Sequence, residues 1–529
     1  MITRREMTLG GLAGGGLAGS GLAASLWPRA ATAQTAAPVV RTTHGPVIGA
    51  RDGGTLWFKG VRYGADTRPL RFQPPVAPTP WTEPVECLTY GAASPQRSDE
   101  ANPSEDCLFL NVWTPGLDRE RRPVMVYIHG GAYSNGSGSN ALYDGTRLSR
   151  RGDVVVVTLN HRLNLFGYAY LARLTGGLES SGNAGNLDLI LALQWVRDNI
   201  AAFGGDPDRV MLFGQSGGGA KIATLMATPA AEGLFHRAAT MSGQQVTASG
   251  PINATSRAVA WLRALDLTPE RAAEVRTLPA ERLLEAAGAA DPVLYKSGLY
   301  WGPVMDDVVL HRHPFYPDTA PQSARMPMII GNTRDETLAF MGGDPANAGL
   351  TWDTLAARLS PDQMRIDIAP ETVIAEYRRM RPDWTPDQVL IGATTAGRSW
   401  RGAVIEAEQR ATSGTPAWVY QLNVPATLDN GRSGAMHTAD IPLVFDNVEA
   451  PGSRTKGPGA QAAADQMSDA FIALARTGDP NHPGMPEWTP YGLPGRETMV
   501  FDAMSRMEND PRGDERRFFS RVPYIQPGT

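Results

Sequence analysis

From about residue 120 onward, short β-branched apolar runs alternate with longer stretches whose apolar positions recur at helical spacing. Val124–Ile128 and Val154–Leu159 are apolar nearly throughout and end in turn residues, as strands buried on both faces of a parallel sheet do. Asn186–Phe203 carries Leu187, Ile190, Leu191, Trp195, Val196 and Ile200 almost all round, which predicts a buried helix stopped by Gly204-Gly205-Asp206-Pro207. Val210–Phe213 predicts the next strand and Gly217 opens the next helix. Met328–Ile330 leads into Gly331, and Trp418–Leu422 precedes a loop that bears a histidine. This alternation predicts an α/β fold: a doubly wound, mostly parallel central sheet with helices on both faces and large loop insertions. Gly/Pro-rich stretches such as 451–458 read as surface loops, so residues 34–529 are expected to form a single domain.

Composition narrows the function classes. Hydrophobic residues make up 42% of the 529 and charged residues 19%, a balance that excludes a disordered or fibrous chain. The net charge is −5, and the four lysines (Lys59, Lys221, Lys296 and Lys456) form no basic block, so nucleic acid is not an expected partner. Arg4-Arg5, an apolar Gly/Ala/Leu run from Leu9 to Trp27 and Ala31-Thr32-Ala33 read together as a twin-arginine-type export signal over residues 1–33. A membrane anchor is the competing reading, but the run is Gly-rich and barely long enough to span. The mature chain would begin near Gln34, be periplasmic or secreted, and carry no integral membrane segment. Two cysteines in an oxidising compartment, Cys87 and Cys107, most simply form one disulfide.

Gly214-Gln215-Ser216-Gly217-Gly218 fits G-x-S-x-G between a predicted strand and a predicted helix. A sharp strand-to-helix turn pushes the serine hydroxyl outward, and flanking glycines remove the clashes such a turn creates. His129-Gly130-Gly131-Ala132-Tyr133 follows another strand, where small residues let backbone N–H groups approach a developing oxyanion. A serine nucleophile needs a base and a group that orients it. His437, in Gly434-Ala435-Met436-His437-Thr438-Ala439-Asp440, lies after the last strong strand. The acid is then expected between Ser216 and His437, where Gly331-Asn332-Thr333-Arg334-Asp335-Glu336 offers Asp335 or Glu336; spacing does not choose between them. His311 and His313 form an H-x-H pair without further ligands, so no metal is expected. Ser453-Arg454-Thr455-Lys456 matches S-x-x-K but lies among Pro and Gly, where no helix would bring the lysine onto the serine.

Taken together, these blocks resemble the type-B carboxylesterase family, which includes cholinesterases and bacterial para-nitrobenzyl esterases. Phe58-Lys59-Gly60, Glu105-Asp106-Cys107-Leu108-Phe109-Leu110-Asn111-Val112, Asn183-Ala184-Gly185-Asn186-Leu187-Asp188, Gly302-Pro303-Val304-Met305-Asp306 and Thr477-Gly478-Asp479-Pro480-Asn481 carry the likeness from about Thr43 to Asp502. The resemblance implies an α/β-hydrolase that hydrolyses carboxylic esters of small molecules without a cofactor. It implies Ser216 as nucleophile, His437 as base and Glu336 rather than Asp335 as acid. Gly131, Ala132 and Gly217 take the oxyanion positions, Ser242 resembles a buried second serine that supports the histidine, and Cys87 and Cys107 match the family's first disulfide.

This chain departs from the family in having Gln215 and Gly217 where Glu and Ala are common, and Ala132 where cholinesterases have a third Gly. No Trp lies between Cys87 and Cys107, so a cholinesterase-like cation site is not expected. A lipase or amidase on the same fold is the nearer alternative. A non-catalytic binding protein is the more distant one, since such relatives typically lose the nucleophile.

Overall fold

The structure, a computed structural model, describes residues 36–529 apart from 295, 296, 527 and 529. The expected export signal lies outside the described residues. An eleven-stranded sheet organises the chain. In chain order its strands are β1 (Ala50–Asp52), β2 (Thr55–Arg62), β3 (Phe109–Thr114), β4 (Arg122–Ile128), β5 (Val155–Leu159), β6 (Gly205–Gln215), β7 (Arg237–Met241), β8 (Met328–Thr333), β9 (Ala417–Leu422), β10 (Glu497–Phe501) and β11 (Arg506–Asn509). Across the sheet they run β11-β10-β9-β8-β7-β6-β4-β5-β3-β2-β1. The block from β10 to β5 is parallel, and both margins are antiparallel.

Side-chain alternation along β4 and β6 makes two cores. Met125, Tyr127, Met211 and Phe213 face one layer, into which Met467 and Phe471 of a long helix (Ala460–Thr477) also pack. Val124, Val126, Ile128, Val210 and Leu212 face the other, with Leu189 and Leu193 of α1 (Ala184–Asn199) and Ile222 and Leu225 of α2 (Gly217–Met226). This is how a strand buried on both faces holds helices on each side. α1 begins two residues before the predicted helix and passes into a 3₁₀ turn over Ile200–Phe203, which Gly204 ends with φ 78°. β6 starts at Gly205, earlier than the predicted Val210, because Gly205 pairs with Arg122 of β4. Among the described residues no helix is long and apolar enough to cross a membrane.

The expected Cys87–Cys107 disulfide is not formed; both cysteines are free thiols. Each is packed as a small apolar side chain in the layer shared with α1. Burial pushes Cys87 up to about 12 and Cys107 higher still, so both remain protonated. A count of two and an expected oxidising compartment do not by themselves bring two side chains into bonding geometry.

Candidate active site

The C-terminal ends of β4, β6, β7, β8 and the loop beyond β9 converge, as ligand sites do in parallel α/β sheets. Ser216 stands between β6 and α2 with φ 57° and ψ −127°, which residues with a β-carbon rarely adopt. Its N–H donates to the Met241 carbonyl at 2.7 Å, and its carbonyl accepts from Ala220 N at 3.1 Å. Crowding explains the glycines that follow. A β-carbon on Gly218 would run into the Ile128 carbonyl at the end of β4, and one on Gly217 would collide with the Ala132 carbonyl. Strand, loop and helix therefore meet more closely than any side chain permits. Ser216 is left half-exposed in a cavity of about 160 Å³, at the positive end of a ten-residue helix.

Gly131 and Ala132 follow β4 with positive φ of 81° and 53°. The Gly131 carbonyl accepts from Ser134 N at 3.0 Å and Asn135 N at 3.1 Å, which curls the loop over the cavity wall. Among the described residues the N–H groups of Gly131, Ala132 and Gly217 donate to nothing. Lys221, fully buried on α2, donates to the His129 carbonyl at 3.1 Å and tethers the root of this loop to the helix of Ser216. Burial pushes Lys221 down to about 7.

His437 sets Nδ1 2.5 Å from Glu336 Oε2. Glu336 Oε1 accepts from Asn332 Nδ2 at 3.1 Å and Thr333 N at 2.8 Å, and the His437 N–H donates to the Glu336 carbonyl at 3.2 Å. Burial alone would raise the carboxyl's pKa. The charge and hydrogen bond of His437, with the Ser242 hydroxyl and the Thr333 amide, outweigh it and hold Glu336 below its ordinary range. Ser242 follows β7 with φ 51°, and its hydroxyl faces Glu336 while completing no regular hydrogen bond among the described residues.

Asp335, the adjacent carboxylate, instead pairs with Arg334 at 2.9 Å and accepts from Ala435 N at 3.0 Å. Gln215 brings its amide nitrogen to 3.1 Å from His437 Nε2, while among the described residues Ser216 Oγ has no hydrogen bond. The structure thus gathers Ser216, Glu336, His437, Ser242, Gln215 and the Gly131–Ala132 loop at one place.

Other residues at this place carried no sequence signal. Asp440 is buried three residues beyond His437 and accepts from the Tyr420 hydroxyl at 2.7 Å. Burial pushes it up to about 6 despite that bond. The far wall of the cavity comes from Phe340, Arg398, Tyr524 and Gln526, and Glu406 lies buried behind it, bonded to Gln245 N at 2.8 Å. His313 is engaged by Ala248 N at 3.1 Å, and among the described residues no cluster of His, Cys, Asp or Glu could hold a metal. Ser453 and Lys456 lie in irregular chain, not on a helix.

A model of the carboxylesterase family matches residues 36–519. The para-nitrobenzyl esterase of Bacillus subtilis (strain 168) is 33% identical, with 90% of this chain and 98% of the relative covered. Phenmedipham hydrolase of Pseudarthrobacter oxydans is 32% identical, with 85% of this chain and 92% of the relative covered. Among solved structures, a carboxylesterase of Geobacillus stearothermophilus superposes with a TM-score of 0.82 at 35% identity, covering 91% of this chain and 99% of its own. The chain belongs to the carboxylesterase family and is a carboxylic ester hydrolase of the α/β-hydrolase fold.

Proposed function

We propose that this esterase works through an acyl-enzyme on Ser216, with His437 as base, Glu336 as acid and Gly131, Ala132 and Gly217 as oxyanion donors. Ser216 Oγ attacks the ester carbonyl carbon, and its proton passes to His437 Nε2. Glu336, held charged, stabilises the imidazolium through Nδ1. The carbonyl π electrons move onto oxygen, where free backbone N–H groups stabilise the oxyanion. When the carbonyl re-forms, the C–O bond to the alcohol breaks and His437 returns its proton to the leaving oxygen. Water then attacks the acyl carbon by the same route, releasing the acid and restoring Ser216. For His437 to receive the serine proton, the Gln215 amide must yield its place at Nε2.

The observation that carries this reading is the Ser216 backbone, strained at the mouth of a cavity shared with a His437 already bonded to a charged carboxylate. Ester hydrolysis is also what the names of the Bacillus subtilis and Geobacillus stearothermophilus relatives describe, so p-nitrobenzyl and p-nitrophenyl esters are the natural first substrates. We further read residues 1–33 as an export signal, giving a periplasmic or secreted mature enzyme. Treatment with a sulfonyl fluoride should stop hydrolysis and leave one covalent adduct, on the peptide containing Ser216. Labelling elsewhere, or full activity in the labelled protein, would overturn the assignment. N-terminal sequencing of protein from the native host tests the export reading, with a start near Gln34 expected.

A further inference from the structure

The cavity of Ser216 has one wall of unusual charge. Helix Pro386–Thr395 does not run straight into helix Arg401–Thr412; a π-turn over Ala396–Trp400 lies between them and carries Arg398 to the cavity. Such turns insert an extra residue into a helix and often mark functional sites. The guanidinium of Arg398 lies over the Phe340 ring, 5.1 Å from its centroid, and Phe340 in turn packs on His437 at 5.0 Å. Among the described residues Arg398 makes no ion pair and its side chain donates no hydrogen bond.

Charges nearby do not neutralise it. Arg365 acts on Arg398 and on Tyr524 as a second cation, and among the described residues its buried Nε has no partner. Glu336, the carboxylate that acts on Arg398, is already bonded to His437. Glu406, behind the wall, is pushed up to about 8 by burial, which favours its neutral form. Burial and Arg365 lower the pKa of Arg398, yet an arginine keeps its charge in proteins. An unpaired guanidinium beside a reacting ester is a preorganised partner for a planar anion.

We propose that Arg398, backed by Arg365, selects esters that carry a second, anionic group, with half-esters of short dicarboxylic acids as the substrate class. The carboxylate not being hydrolysed pairs with the guanidinium and holds the ester carbonyl over Ser216. This rests on the serine-esterase reading above. It also makes the site hostile to cationic esters, in agreement with the missing tryptophan between Cys87 and Cys107.

The test compares two esters of equal shape on the purified full-length protein: the mono-p-nitrophenyl ester of adipic acid and its methyl-ketone analogue, p-nitrophenyl 6-oxoheptanoate. At low salt the anion is expected to have at least a tenfold higher kcat/KM, roughly what one charge-assisted pair supplies. Arg398→Gln should reduce that ratio to below about twofold and Arg398→Lys should leave an intermediate one, because a point charge without the planar fork does part of the work. A wild-type ratio near one, with both hydrolyses blocked by a sulfonyl fluoride, overturns the charge preference and leaves the serine esterase standing. A ratio unchanged in Arg398→Gln overturns the role of Arg398. If neither ester is hydrolysed and no serine is labelled, the underlying reading fails and the preference with it. Should the variants not fold, the wild-type ratio decides by itself.

Discussion

Glu336 and Glu406 are both fully shielded from solvent, and they end in opposite states. Glu336 sits where strand ends meet, with His437 Nδ1, Asn332 Nδ2 and Thr333 N donating to its carboxylate. Glu406 sits on a helix behind the cavity, where Gln245 N donates to one oxygen and the other has no partner among the described residues. The first is held below its ordinary range; the second is pushed up to about 8. Depth of burial is the same, so the supply of donors decides which carboxyl is charged. The strand-end region keeps its carboxylate charged beside His437, while burial disfavours charge on the helical one.

The strand-end region should fail hardest at its nucleophile. Ser216→Ala removes the atom that forms the acyl-enzyme, and kcat should fall by roughly a millionfold, as in triads elsewhere. Steady-state assay with a p-nitrophenyl ester reads it, and activity within tenfold of wild type would refute the role. Next comes the charged glutamate itself. Glu336→Gln keeps the shape but loses the charge that stabilises the imidazolium, so a loss of about 10³- to 10⁴-fold is expected. Asp335→Asn, one residue away but tied to Arg334 and Ala435 N, should cost less than about tenfold. The reverse ranking would move the acid to Asp335.

Legibility follows the same division. β4, β5, β6 and β9 were readable because parallel strands buried on both faces are continuous apolar runs, whereas β7 (Arg-Ala-Ala-Thr-Met) has no such run and owes its place to neighbours on both sides. Ser216 and His437 sit in Gly-rich turns that local sequence shows. Asp335 and Glu336 are adjacent, and only the turn after β8 points one inward and the other toward Arg334. Arg398 reaches the cavity through a π-turn that no periodicity announces, and Glu406 lies behind the wall on a helix whose local pattern is ordinary. The disulfide expected of Cys87 and Cys107 rested on their number and on the family likeness, and neither of these fixes whether two buried thiols bond.

A smaller effect probes how tightly the strand ends are packed. The family commonly has Ala after the nucleophile, but at Gly217 a β-carbon would collide with the Ala132 carbonyl. Gly217→Ala should therefore displace the oxyanion loop and lower kcat by about a hundredfold, on the scale of losing one donor. KM should move far less. Activity within about twofold would mean the Gly131–Ala132 loop relaxes without cost and that its position here is not fixed by this contact.

The gentlest substitution is the one that tells the two glutamates apart. Glu406 binds its proton in the folded state up to about pH 8, against an ordinary value of 4.5. Between those values the folded chain carries one more proton at this group than the unfolded chain, so stability declines as pH rises through the window and levels off above it. Gln mimics the protonated form, keeps an oxygen for Gln245 N and cannot ionise. Glu406→Gln should leave kcat/KM at pH 7 within about threefold of wild type, because a neutral group replaces a neutral group. Its melting temperature should fall less than that of wild type between pH 5 and pH 8, by about a few degrees. Parallel melting profiles would show that Glu406 ionises as an ordinary carboxyl does. A catalytic loss comparable to that of Glu336→Gln would mean that a charged Glu406 supports the cavity wall in the folded enzyme.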